Sequence, residues 1–277
     1  MLPIRDDNPT SSIPYVTIGL IVLNLLIFVA EIAQPGRDGM ERFIWKYGYV
    51  PAELAHGQDA MRREMVENAP FAPVLDSRGR PITDVLGRRL GQRVALPVED
   101  AAAVPAWINI FTCMYLHGGW AHLLGNMLYL WIFGNNIEDR LGPFLYFVFY
   151  TATGLLGNLL HTFFDAAAVP LVGASGAISG VMGAYILLYP HARLTAIIPI
   201  GWYPATANLP AWIFLGVYIV VQNLFPATFS SGGQGGVAYW AHIGGFVGGF
   251  ALIKLFPLKP QLYRPPPPPD DDADFVL

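Results

Sequence analysis

Four side chains in this sequence have the types and spacing needed for acyl-transfer chemistry. Ser175 stands in the glycine-rich stretch VGASGAISGVMGAY, Val172 to Tyr185, where an apolar helix is expected to begin. His122 and Asn126 lie four residues apart in HGGWAHLLGNMLYLWIFG, a spacing that puts them on one helix face. His242 stands in YWAHIGGFVGGF, about one turn into another apolar segment. A serine hydroxyl is a weak nucleophile and needs an adjacent base. Histidine suits that task, because its reference pKa of about 6.5 lies near working pH. The negative charge of a tetrahedral intermediate needs donors already in place. Asn126, His122 and the N–H groups of a helix start can supply them.

The elements that must carry these groups belong to a membrane. The chain has 277 residues, 54% hydrophobic and 13% charged, against about 25% charged in an ordinary soluble domain. A net charge of −4 offers no basic footprint, which excludes nucleic acid as a partner. The single cysteine, Cys113, excludes an internal disulfide and a cysteine-based metal cluster, and no other metal-ligand set or cofactor motif stands out. Six apolar segments are read as candidate spans, at about 13–33, 117–134, 142–162, 175–189, 210–226 and 238–256. The predicted fold is therefore an all-α, polytopic six-helix bundle. Its organisation is an N-terminal tail 1–12, a first span 13–33, a large loop 34–104, a core 105–257 and a Pro/Asp-rich tail 258–277.

Orientation follows from the short loops. Arg5, Arg140, Arg193, Lys254, Lys259 and Arg264 fall on one side, whereas loops 163–174 and 227–237 carry no Lys or Arg. The positive-inside rule puts both tails in the cytoplasm and loop 34–104 outside; the membrane expected is a bacterial-type plasma membrane. The ending RPPPPPDDDADFVL reads as an extended, solvated tail; a docking site for a cytosolic partner is the alternative.

This topology collapses long sequence separations. The helices holding His122, Ser175 and His242 all run inward, and each group is near its helix start, so all four groups share the outer half of the bilayer. The helix from Ser175 to Tyr189 covers only some 22 Å at 1.5 Å per residue, short of the roughly 30 Å core. Ser175 is thus expected in a recess, and a recess that holds water permits hydrolysis. Gly176 with Gly180, Gly244 with Gly248 and Gly245 with Gly249 form small-xxx-small pairs. Such faces let two helices approach closely enough to pair Ser175 with His242.

These residues resemble the rhomboid intramembrane serine proteases. The likeness is carried by GASG at 173–176, AHIGG at 241–245, HGGWAHLLGN at 117–126, IEDRLG at 137–142 and YGYVPAEL at 47–54. The resemblance implies Ser175 as nucleophile and His242 as general base, with His122, Asn126 and the Ser175 N–H as the oxyanion site. It implies supporting places for Gly173, Gly176 and His117, the last near the cavity mouth. Glu138 and Arg140 match a cluster that pins the first three helices. The implied substrates are single-span membrane proteins cut near the extracytoplasmic face. Four residues beyond the serine, where well-studied bacterial members carry a tyrosine that stacks on the histidine, stands Ser179. Ile108 and Asn109 stand where those members carry a Trp-Arg pair, and residues 56–104 form an extra insertion.

No acid is evident beside His242, so a dyad is expected; Asp165 and Glu31 show no motif tying them to it. Three rivals compete with the protease reading: a catalytically inactive rhomboid-like binding chaperone, a transporter, and a bis-histidine haem protein using His122 and His242. Transporters usually show related halves and broken helices, neither of which is found. Haem ligation leaves Ser175 and Asn126 unexplained.

Overall fold

The computed structural model describes residues 2–36, 38–59, 61–62, 71–73, 91–93, 103–200, 203–229 and 237–260. In chain order it contains β1 (Leu2–Asp6), α1 (Tyr15–Ile32), α2 (Gly39–Tyr47), α3 (Pro51–His56), β2 (Phe71–Pro73), β3 (Gly91–Arg93) and α4 (Ala106–Thr112). There follow α5 (Trp120–Leu141), α6 (Pro143–Phe164), α7 (Ser175–Leu188), β4 (Arg193–Ile200), β5 (Tyr203–Pro210), α8 (Ala211–Ile219), a π-helical turn (Val220–Leu224), α9 (Phe225–Phe229) and α10 (Tyr239–Leu252).

Among the described residues, three helical stretches are long and apolar enough to cross a membrane: Tyr15–Ile32, Pro143–Phe164 and Ala211–Thr228, the last running from α8 through the π turn into α9. At the centre lies α7, whose residues Gly176 to Tyr185 are buried without a break. A helix that is apolar all round must be enclosed by others, and α5, α6 and α10 enclose this one. Glycines set the spacing. A Cβ at Gly245 would land on the Gly176 carbonyl oxygen, and one at Gly249 on that of Gly180. Gly244 and Gly248 serve the other face of α10, against Leu160 and Leu156 of α6.

The fold departs from the all-α expectation. β1, β4 and β5 form an antiparallel sheet in the order β1-β4-β5, with Leu2 opposite Ile197 and Leu194 opposite Leu209. The segment between α7 and α8 thus forms a hairpin, and residues of the expected tail 1–12 pair with it. Asp6 turns its carboxylate into the bundle, where Tyr185 of α7 and Asn136 of α5 both donate to Oδ2 at 2.7 Å.

Helix α5 also departs from expectation, beginning at Trp120 and continuing to Leu141 rather than spanning 117–134. Polar residues at its end stay helical because each has a partner. Glu138 caps α1, which has no capping side chain of its own. Its carboxylate accepts the N–H groups of Val16 at 2.8 Å and Thr17 at 2.7 Å, and the Thr17 hydroxyl at 2.8 Å. A carboxylate at a helix N-terminus satisfies unpaired donors and complements the dipole. Arg140 pins a different part of the chain from the one expected: its Nε donates to the Lys259 carbonyl at 2.8 Å, and the Lys259 N–H returns to the Arg140 carbonyl at 2.7 Å.

Within the first loop, Tyr49 exchanges both backbone hydrogen bonds with Leu171, at 3.1 and 2.7 Å. Its hydroxyl meets Thr162 Oγ1 at 2.6 Å. The YGYVPAEL segment is thereby tied to the stretch leading into Ser175. Asn109 anchors the loop from α4, donating to the carbonyls of Lys46 at 3.2 Å and Val104 at 3.0 Å. Of the 56–104 insertion, the antiparallel pair β2–β3 is described. Most of that insertion and the tail beyond residue 260 lie outside the described residues.

Candidate active site

Ser175 is the first residue of α7. The approach to it is fixed by Gly173, whose N–H donates to the Cys113 carbonyl at 2.8 Å. Gly173 has φ +122°, and a Cβ there would lie 2.8 Å from the His122 ring. Both backbone conformation and space require glycine at 173. Gly176 is less constrained: a Cβ there would meet Ala241 at an ordinary 3.5 Å, and its role is to present a carbonyl that Gly245 can approach.

The Ser175 hydroxyl lies 2.7 Å from His242 Nε2. It faces a cavity of about 570 Å³, whose lining includes His122, Asn126, Tyr129, Tyr218 and His242. The expected juxtaposition of α5, α7 and α10 is therefore realised, with all three helices starting at the same end of the bundle. Asn126 is buried, and its amide nitrogen has no partner among the described residues. A buried donor without a partner is costly, and this one borders the cavity. α7 has no side-chain cap either, which leaves its first-turn N–H groups for another acceptor.

His117 is not at the cavity mouth. The chain turns at Gly118 and Gly119 before α5 begins, so His117 lies outside the lining and is fully buried behind His122, ring centroids 5.1 Å apart. Its N–H donates to both oxygens of Glu31, at 3.1 and 3.2 Å. Glu31 thus serves the backbone at residue 117 and makes no hydrogen bond to His242. Asp165 ends α6, its N–H bonded to the His161 carbonyl at 2.7 Å.

Two side chains next to His242 went unread in the sequence. Asn223 Oδ1 lies 2.7 Å from His242 Nδ1, so the second ring nitrogen meets an amide. Tyr218 of α8 places its ring 6.4 Å from the His242 ring, tilted by 36°, and its hydroxyl meets Ser179 Oγ at 2.7 Å. An aromatic neighbour for the histidine is thus supplied by α8, with Ser179 holding it. The available signal was polarity: Asn223 interrupts an apolar run, and intramembrane polar residues are costly unless used.

Fold and site together define a helical membrane protein with a hydroxyl–imidazole pair beside a partly open cavity. The chain belongs to the rhomboid family: residues 105–258, more than half of its 277, match the Rhomboid domain. It is 34% identical over 153 residues to RHOMBOID-like protein 1 of Arabidopsis thaliana, covering 55% of this chain and 35% of that one. It is 27% identical over 251 residues to RHOMBOID-like protein 2 of the same plant, covering 87% and 66%. Mitochondrial Rhomboid protein 1 of Saccharomyces cerevisiae is 30% identical over 148 residues, covering 50% and 43%. The chain therefore spans between about a third and two thirds of the length of these relatives. Coming from a plant and a yeast, they lend no support to the expected bacterial-type plasma membrane.

Proposed function

We propose that this protein is a serine endopeptidase acting within the membrane, with six spans corresponding to α1, α5, α6, α7, α8–α9 and α10. In this reading residues 1–12 and 258–277 are cytoplasmic, loop 34–104 is extracytoplasmic and the core 105–257 carries the site. Ser175 Oγ attacks the carbonyl carbon of a substrate peptide bond and passes its proton to His242 Nε2. The resulting oxyanion takes hydrogen bonds from Asn126, His122 and the Ser175 N–H. Collapse expels the amine, which takes the proton from His242, and water then hydrolyses the acyl-enzyme by the same route.

The observation that carries this reading is the 2.7 Å contact between Ser175 Oγ and His242 Nε2 at the cavity wall. That contact also weighs against an inactive binding chaperone and a transporter, neither of which needs it. The substrates are single-span proteins with small residues and helix breakers near their outer boundary, because helical carbonyls are engaged in their own hydrogen bonds. Fluorophosphonate labelling in detergent tests the proposal: the wild type takes the label and Ser175→Ala does not. A wild type that stays unlabelled while folded overturns it.

A further inference from the structure

The geometry points to Asn223 as a positioning residue that sets the tautomer of His242, an inference that rests on the protease reading for its functional consequence. Asn223 Nδ2 donates to the Tyr218 carbonyl at 2.8 Å. A carbonyl oxygen only accepts, so the amide cannot be turned the other way and Oδ1 is the atom facing His242. An amide oxygen also only accepts, so His242 Nδ1 carries its proton. The lone pair of the neutral ring is then on Nε2, where the Ser175 hydroxyl donates into it. Two contacts, each of one polarity, leave a single arrangement of protons along Tyr218, Asn223, His242 and Ser175.

A second feature arises at the same place. Asn223 lies in the π-helical turn Val220–Leu224, where the Phe225 N–H reaches back five residues to the Val220 carbonyl. Pro226 is the local cause: it has no N–H for the Gln222 carbonyl and its ring crowds that carbonyl. The widened turn carries Asn223 inward, where it is buried, whereas Val221 beside it is 57% exposed. Single π turns of this kind recur at functional sites. The other titratable groups facing His242 are His122 from α5, His161 from α6 and Tyr218 from α8; no carboxylate among the described residues hydrogen-bonds to it.

The test compares wild type, Asn223→Ala and the near-isosteric Asn223→Asp. Each is assayed for fluorophosphonate labelling rate against pH and for kcat and KM on a single-span substrate in micelles, with unfolding checked in parallel. Asn223→Ala lowers the labelling rate and kcat by about 10² and leaves KM within about twofold. Asn223→Asp restores an acceptor for Nδ1 but sets its second oxygen against the Tyr218 carbonyl, so it recovers part of that loss, and its acid limb moves to higher pH by about one unit, because a carboxylate favours the imidazolium. Equal labelling of Asn223→Ala and wild type, or an unmoved limb in Asn223→Asp, overturns the assignment while leaving the protease reading intact. Ring-nitrogen NMR of isotope-labelled histidine, assigned through His242→Gln, reads the tautomer without any activity. A wild type protonated at Nε2 overturns the assignment whatever the enzyme assays give.

Discussion

Tyr218 and Ser179 join two helices through a single contact, their hydroxyls 2.7 Å apart with the Tyr218 ring beside His242. The pair is asymmetric. Ser179→Ala removes one hydrogen-bond partner of a buried phenol hydroxyl, at a cost of about 1–3 kcal/mol. Tyr218→Phe leaves a serine hydroxyl that can turn to its own helix carbonyls. Thermal unfolding is therefore expected to show Ser179→Ala as the more destabilised variant, with the double variant recovering part of the loss. Strict additivity would show that the two hydroxyls do not interact.

Asn126 offers a sharper separation of roles. Because its amide nitrogen has no partner among the described residues, Asn126→Ala should leave stability unchanged or raised. The same variant should lower kcat by about 10² to 10³, as removal of one oxyanion donor does, with little effect on KM. A loss of stability with kcat preserved would make Asn126 a packing residue.

The helix contact between α7 and α10 predicts a further contrast. Gly245→Ala drives a methyl group into the Gly176 carbonyl, whereas a Cβ at Gly216 of α8 meets nothing within 4 Å. Overpacking of this kind costs about 1–3 kcal/mol and here also pushes His242 away from Ser175. Gly245→Ala should lose both stability and fluorophosphonate labelling, and Gly216→Ala neither. Equal behaviour of the two would mean that α10 shifts without disturbing the site.

A pH effect is expected at the sheet. Burial raises the Asp6 carboxyl from 3.8 to about 6, against the lowering influence of Tyr185 and Asn136. With the folded value above the unfolded one, the favourable contribution is complete below about 4 and is lost as pH rises through about 6. Asp6→Asn keeps one oxygen for both donors and removes the ionisation. Relative to wild type, the variant should gain up to about 2 kcal/mol between pH 4 and 7, read by unfolding at a series of pH values. A constant difference across that range would exclude Asp6 as the source.

The site was legible in the sequence where polar groups interrupt apolar runs: Ser175, His242, His122 and Asn126 each stand out, and the structure gathers them. Asn223 was equally polar but lacked a motif, and its approach to His242 depends on a π turn that hydropathy does not encode. The hairpin β4–β5 carries no signal in a reading for spanning helices: residues 193–210 lie between two apolar segments, and prolines at 199, 204 and 210 interrupt the strand pattern there. Helix α5 runs past the expected end at 134 because a hydropathy window stops at charges, whereas a helix continues wherever those charges find partners, as Glu138 does at the start of α1. The place near the cavity mouth that the resemblance implies for His117 is not the one it takes; the turn at Gly118 and Gly119 sends it the other way.

The strand Leu2–Asp6 leaves the ribosome long before its partner Arg193–Ile200; the bond between Asp7 and Arg193 closes a separation of 186 residues. Throughout that interval β1 has both edges unpaired, and β4 reaches it only after α7 has been delivered, since the hairpin follows α7 directly. Closing so distant a contact is intrinsically late. The sheet is therefore a completion step in biogenesis: it registers that the serine-bearing helix has arrived, and a chain halted before residue 193 keeps an open strand edge exposed to pairing with other chains.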